Sequence, residues 1–76
     1  MHFDPSHLAA LAAILRSGSL DRAARHLNVT PSAISQRLKA LEDRVGAVLV
    51  VRGQPATATE AGERLLRHAE EVALLE

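Results

Sequence analysis

The feature that most limits the fold is a stripe of apolar residues in the middle of the chain. It consists of Ile34, Leu38, Leu41 and Val45. Intervals of four, three and four residues place these side chains on one face of an α-helix. Thr30 is a suitable N-cap, Pro31 suits the first turn, and Gly46 can end the helix. The sequence therefore predicts a helix over residues 31–45.

Two shorter segments before this helix show the same one-sided apolar pattern. The first helix lies between its N-cap Asp4 and Gly18, which can adopt the left-handed conformation that ends a helix. The second lies between its N-cap Ser19 and Asn28, which also tolerates that conformation. We therefore expect three helices in the first 46 residues.

Composition further restricts the fold and indicates the cellular compartment. The 76 residues suffice for one compact domain, and Phe3 is the only aromatic residue, so the core must be thin and helical. The absence of cysteine excludes a disulfide framework and a thiolate metal site, and it fits a reducing cytoplasm. There is neither an apolar run of about 18 residues nor a secretory signal. We expect a soluble cytoplasmic protein that does not contact a membrane.

The chain lacks the groupings that catalysis or cofactor binding requires. Its four histidines have no metal-ligand spacing, and its four glycines form no phosphate-binding loop. It also has no Gly-x-Ser-x-Gly nucleophile motif. We therefore expect that the protein is not an enzyme and that it binds neither a metal ion nor a cofactor.

Charge is distributed unevenly although the formal net charge is zero. Residues 1–52 hold seven basic and four acidic side chains, whereas residues 53–76 hold two basic and five acidic ones. This asymmetry is typical of a protein whose basic N-terminal part faces a polyanion and whose acidic C-terminal part faces solvent.

Polar side chains occupy the face of the third helix opposite its apolar stripe. They are Ser32, Ser35, Gln36 and Lys39. Glutamine can form two hydrogen bonds with the edge of adenine, and serine can form hydrogen bonds with several bases. Lysine can contact phosphate or guanine. The short second helix, the tight turn and the longer third helix make a helix-turn-helix unit, which presents such a face to the major groove. A simply solvated face is the alternative.

A small β-hairpin is predicted after the third helix. A β-branched run over residues 48–52 is followed by the turn residues Gly53, Gln54 and Pro55. Arg52 in an exposed wing can lie along phosphates or reach into a narrow minor groove. A structural hairpin with a solvated arginine is equally compatible with the pattern.

The last helix carries an apolar stripe of its own. It is predicted to start near 58–60, where Thr57 and Glu60 fit a capping box and Thr59 is a competing N-cap. The stripe consists of Leu65, Ala69 and Val72, flanked by Leu66 and Ala73. It is too long for so small a core to cover fully, which indicates a dimer seam, but intramolecular packing stays open because two heptads do not define a coiled coil.

These residues together resemble a known family. The stretch over residues 18–42, GSLDRAARHLNVTPSAISQRLKALE, is similar to the N-terminal winged helix-turn-helix of LysR-type transcriptional regulators. The tetrad Thr59-Glu60-Ala61-Gly62 resembles the start of their linker helix. The chain departs from the commoner pattern at three segments, which are Pro31-Ser32, Ser35-Gln36-Arg37 and Val51-Arg52-Gly53-Gln54-Pro55. They resemble the branch that regulates lysine and arginine export, which includes a regulator also described as an inhibitor of chromosome initiation.

The resemblance implies a mainly α winged helix-turn-helix with three helices, a small β-hairpin wing and a C-terminal linker helix that pairs two copies. It divides the chain into a DNA-binding domain, 1–58, and a linker helix, 59–76, without the family's effector-binding domain. Recognition helices would enter successive major grooves of double-stranded DNA, with wings in the flanking minor groove. The expected DNA-contacting residues are Thr30, Pro31, Ser32, Ser35, Gln36, Arg37, Lys39, Arg52, Gln54 and Pro55.

A helical protein interaction module is the alternative function. The neutral total charge favours it mildly, whereas the outward face of serine, glutamine and lysine opposes it. The two functions differ in salt dependence, because each phosphate neutralised on DNA lowers log affinity by ~0.9 per unit of log salt. A hydrophobic groove responds little to salt.

Overall fold

Four helices and one two-stranded sheet make up the part of the chain that the structure describes. The computed structural model describes the backbone of residues 3–75 and the side chains of residues 3–71. The helices are α1 (Pro5–Ser17), α2 (Leu20–Leu27), α3 (Pro31–Val45) and α4 (Glu60–Leu75). Strands β1 (Val50–Val51) and β2 (Thr57–Ala58) lie between α3 and α4 and pair antiparallel. This mainly helical architecture with a small hairpin confirms the predicted winged helix-turn-helix.

The first three helices begin and end where the local sequence predicts. At each N-terminus the cap side chain accepts a hydrogen bond from a free backbone amide, which would otherwise have no partner. The accepting residues and their donors are Asp4 and Ser6, Ser19 and Arg22, and Thr30 and Ala33. The residues after the three helices, Gly18, Asn28 and Gly46, are left-handed. Local backbone chemistry is therefore sufficient to place these helices.

The cap of α1 is also an electrostatic feature. The Asp4 carboxylate accepts hydrogen bonds of 2.8 Å from the hydroxyl and from the backbone amide of Ser6. These two bonds, the hydroxyl first, hold the pKa of Asp4 below its usual value, and the neighbouring His7 imidazole, 3.7 Å away, acts in the same direction. The ionised carboxylate is thus the form that caps the helix.

One apolar core joins all four helices and the hairpin. Its buried members are Ala10, Leu11, Ile14, Ala23, Ala24, Ile34, Leu38, Leu41, Leu49, Val50, Ala56 and Leu65. The predicted stripe of α3 supplies three of them, Ile34, Leu38 and Leu41, as expected. Val45 was predicted to be buried with them, and this was wrong: it is 36% exposed, because it is the last residue of α3 and the chain turns away at Gly46.

The hairpin is shorter than the β-branched run that predicts it. Only Val50 and Val51 lie in β1, opposite Ala58 and Thr57, whereas Val48 is 63% exposed and outside the strand. The hairpin turn rests on the junction between α1 and α2. There the Ala56 amide donates to the Gly18 carbonyl oxygen at 2.8 Å. This bond fixes the position of the turn relative to the first two helices.

The start of α4 is decided by Thr59. Its hydroxyl oxygen accepts from the Gly62 amide at 3.0 Å, so it is the N-cap, whereas Thr57 lies in β2 and the capping box with Glu60 is wrong. The Thr59 hydroxyl also donates to the Val48 carbonyl oxygen at 2.6 Å. Of the two predicted caps, the one that also ties α4 to the hairpin is used.

Directly after the Thr59 cap, the backbone of α4 approaches the backbone of Leu49 closely. Gly62 is buried against Leu49, and a Cβ atom added to Gly62 would overlap the Leu49 carbonyl oxygen and lie 3.0 Å from its carbonyl carbon. The Leu49 carbonyl oxygen accepts from the Thr59 amide at 3.1 Å, and the Leu49 amide donates to the Glu42 carboxylate at 2.8 Å. Leu49 is therefore held between α3 and α4, and only glycine fits at position 62.

Candidate nucleic-acid interface

The turn between α2 and α3 sets the direction of α3. Asn28 has φ 56°, and the Val29 amide donates to the Ala24 carbonyl oxygen at 3.0 Å, which closes the end of α2. Ala23 and Ala24 are buried, and small side chains there allow α2 to approach the rest of the core closely. The helix-turn-helix unit predicted from the sequence is thus present with its tight turn intact.

The outer face of α3 is polar and accessible to a partner. Ser32, Gln36 and Lys39 are exposed, and Ser35 is half-buried at the edge of the same face. None of these side chains is a member of the apolar core. The predicted polar face therefore exists as one surface on one helix.

The N-terminus of α3 adds backbone and side-chain donors to this face. Thr30 and Pro31 are exposed at the first turn, where the positive end of the helix dipole favours an anion. The Thr30 oxygen accepts from the Ala33 amide at 3.1 Å, which leaves the Thr30 hydroxyl hydrogen available to donate. Arg37 is half-buried, and at about 100° per residue it lies about 100° or more from Ser32, Ser35, Gln36 and Lys39 around the helix axis.

Lys39 is paired within α3. Its ammonium nitrogen lies 3.6 Å from a carboxylate oxygen of Asp43, one turn further along, and the two side chains are 77% and 67% exposed. An exposed pair of this kind contributes little to stability, so Lys39 can leave it for a phosphate.

The wing places a second set of predicted residues at the surface. Arg52, Gln54 and Pro55 are all exposed, and the residues of the turn face the start of α2 across an open groove. Arg22 on α2 lines this groove as well. Sequence reasoning did not select Arg22, although its position three residues after the Ser19 cap places it in the first turn of α2.

The residues predicted for the dimer seam do not all lie at the surface. Leu65 is only 9% exposed and packs in the core of its own chain, which is the intramolecular alternative for that residue. Leu66 and Ala69 are half-buried, and the side chains of Val72 and Ala73 lie outside the described residues. An ion pair of 3.9 Å between Arg16 and Glu70 joins α4 to α1.

Other kinds of site find no support in the described part of the chain. Among residues 3–71 no three histidine, aspartate or glutamate side chains are grouped so that they could hold a metal ion. Within residues 3–75, every helix is too short or too polar to span a bilayer.

Comparison with known proteins defines the class. Residues 5–63 match the family described as bacterial regulatory helix-turn-helix protein, lysR family. The chain therefore belongs to the LysR family of bacterial regulatory helix-turn-helix proteins, as the motifs indicated.

The relatives agree with the branch resemblance as well. Over 73 residues the chain is 60% identical to the HTH-type transcriptional regulator LysG of Mycobacterium tuberculosis. This match covers 96% of this chain and 24% of that protein. It is 51% identical to the lysine export transcriptional regulatory protein LysG of Corynebacterium glutamicum, over 96% of this chain and 25% of that protein. The chain spans about a quarter of the length of these curated relatives.

Solved structures match the fold closely. Full-length LysG from Corynebacterium glutamicum superposes with a TM-score of 0.93 at 51% identity, over 97% of this chain and 26% of that one. A complex of the CbnR DNA-binding domain with DNA superposes with a TM-score of 0.89 at 28% identity, over 96% of this chain and 85% of that one.

Proposed function

We propose that this chain binds double-stranded DNA sequence-specifically, as the DNA-binding domain of a LysR-type transcriptional regulator. The observation that carries the proposal is the exposed polar face of α3, formed by Ser32, Gln36 and Lys39 and presented by a capped helix-turn-helix. The superposition on a DNA-binding domain in complex with DNA supports it. We further propose that the protein is not an enzyme and acts in the cytoplasm, and its match to a family of bacterial regulatory helix-turn-helix proteins supports both points.

Each part of the interface has its own task in this proposal. Gln36, with Ser32 and Ser35, reads base edges in the major groove, because these side chains can donate to and accept from bases. Thr30, at the start of α3, and Lys39 fix the position of the helix on phosphates. The remaining predicted contacts flank these residues. They are Pro31 and Arg37 on α3, and Arg52, Gln54 and Pro55 in the wing, with Arg52 anchoring the wing in the minor groove.

Dimerisation through α4 completes the proposal. We assign residues 1–58 to DNA binding and 59–76 to a linker helix that pairs with a second copy. Because Leu65 belongs to the core, the seam is formed by its neighbours. These are Leu66, Ala69, Val72 and Ala73. Two recognition helices related by a twofold axis would then contact two half-sites about one helical turn apart.

The regulated process is proposed from the relatives. One of them is named as a lysine export regulator and is 51% identical over 73 residues. We infer that the protein controls genes for export of basic amino acids. The duplex to test is therefore the DNA upstream of its own gene and its neighbours.

Fluorescence anisotropy at two salt concentrations tests the proposal. The chain should bind the native duplex more tightly than a shuffled one, with affinity that falls steeply as salt rises. Gln36→Ala should cost ~1 to 3 kcal/mol on the native site and little on the shuffled duplex. Glu63→Ala, at an exposed position of α4, is the matched control and should leave both affinities unchanged. Equal losses on both duplexes would remove Gln36 as a reader of bases, and absence of binding to either duplex would favour the interaction module.

A further inference from the structure

An acidic residue lies on the face proposed to meet DNA. At about 100° per residue, Asp43 lies within about 40° of Ser32, Gln36 and Lys39 around the axis of α3. It is 67% exposed, and its carboxylate lies 3.6 Å from the Lys39 ammonium. A negative charge on a surface that binds phosphates opposes binding, so its presence there needs an explanation.

Asp43 has no evident role in the stability of α3. It lies in the last turn, where the negative end of the helix dipole disfavours an acidic side chain. A lysine that precedes its acidic partner by four residues is also the less favourable order for a helical ion pair. The neighbouring Glu42 differs, because its carboxylate accepts from the Leu49 amide and joins α3 to the hairpin segment. Residues that break local rules of this kind are expected at functional sites.

We propose that Asp43 is a positioning residue for Lys39. Its carboxylate competes with the DNA phosphate for the Lys39 ammonium. The inference rests on the proposed function. In the free protein the carboxylate neutralises the Lys39 ammonium, so binding to DNA exchanges one anion for another. The contribution of Lys39 to affinity and to counterion release is thereby reduced on every duplex, whatever its sequence. Asp43 thus limits binding that depends on the DNA backbone alone.

The variant Asp43→Asn tests this role while keeping the shape of the side chain. Its affinity for a shuffled duplex should rise about twofold, the factor that corresponds to an exposed helical ion pair. The log–log dependence of affinity on salt should steepen by up to ~0.9, because Lys39 then neutralises a phosphate fully. Glu63→Gln removes the same charge from an exposed position of α4 and should leave the salt slope unchanged.

A double-mutant cycle tests whether Asp43 acts through Lys39. In a Lys39→Ala background, Asp43→Asn should lose most of its effect on affinity and slope. An Asp43→Asn variant that matches Glu63→Gln would overturn the proposal. An effect that persists in full without Lys39 would also overturn it, since Asp43 would then act by direct repulsion. Thermal melts should show Asp43→Asn to be at least as stable as the wild type.

The same titrations separate this inference from the proposed function. If the wild type binds duplex DNA and only Asp43→Asn behaves like the control, the positioning role alone is wrong. If wild type and every variant fail to bind duplex DNA even at low salt, the proposed function fails, and the inference falls with it.

Discussion

Replacement of Gly62 by alanine is expected to destabilise the fold, although alanine is the better helix former. Gly62 lies in the first turn of α4, and the added methyl group would overlap the backbone of Leu49. Leu49 cannot move away freely, because its carbonyl oxygen accepts from the Thr59 amide and its own amide donates to Glu42. The clash therefore has to be relieved by a shift of α4 or by loss of these hydrogen bonds.

Two opposing effects decide the magnitude for Gly62→Ala. Alanine gains about 1 kcal/mol over glycine from helix propensity. Overpacking against a fixed backbone costs about 1–3 kcal/mol. A hydrogen bond lost at Leu49 costs about 1 kcal/mol more. The steric and hydrogen-bond costs are larger together, so we expect a net loss of about 2 kcal/mol, which lowers the Tm by about 8–16 °C for a domain of this size.

Thermal and urea unfolding followed by circular dichroism measure the effect of Gly62→Ala. Glu63→Ala is the control at the adjacent exposed position and should change the free energy of unfolding by no more than about 0.5 kcal/mol. A Gly62→Ala variant that is as stable as the wild type, or more stable, would refute the close-approach argument. Helix propensity would then be the dominant effect at this position.

Three further predictions concern the Glu42 carboxylate, the apolar stripe of α4 and the Asp4 cap. Glu42→Gln keeps an acceptor but loses its charge, and we expect a loss of about 1 kcal/mol in unfolding free energy and faster hydrogen exchange at the Leu49 amide; unchanged exchange would contradict this. Leu65→Ala should cost about 2–5 kcal/mol of stability, whereas Leu66→Ala should mainly weaken self-association in sedimentation, and the reverse pattern would exclude the proposed seam. The Asp4 carboxyl should titrate below its usual pKa by NMR, so its contribution to α1 is present above the unfolded-state pKa and is lost as pH falls through the lowered folded-state pKa.

The helices could be predicted because their ends are set locally. Asp4, Ser19 and Thr30 each bond an amide two or three residues away, and Gly18 and Asn28 adopt the left-handed conformation that the sequence suggested. Such interactions are present in a short window of sequence. The face of α3 followed from the same period, since its buried and exposed sides are fixed by helical geometry.

The error at the start of α4 concerns a contact between residues that are distant along the chain. Whether Thr57 or Thr59 caps α4 depends on the Val48 carbonyl oxygen, eleven residues before Thr59. The need for glycine at position 62 depends on Leu49 in the same way. Local patterns do not contain this information.

The candidate site could be predicted only in part for a related reason. An exposed polar helix face has the same pattern whether it contacts DNA or water. Similarly, the apolar stripe of α4 has the same period whether it packs inside the chain or against a second copy. Leu65 shows that part of this stripe is used internally.

The central claim is that the outer face of α3 contacts the DNA, and an NMR titration tests it most directly. Amide shifts of the ¹⁵N-labelled chain would be followed as the upstream duplex is added. We predict that the largest changes occur at the start and along the outer face of α3, from Thr30 to Lys39, with a second group around Arg52 in the wing. Changes confined to α4, or no change at a saturating concentration of duplex, would contradict the account.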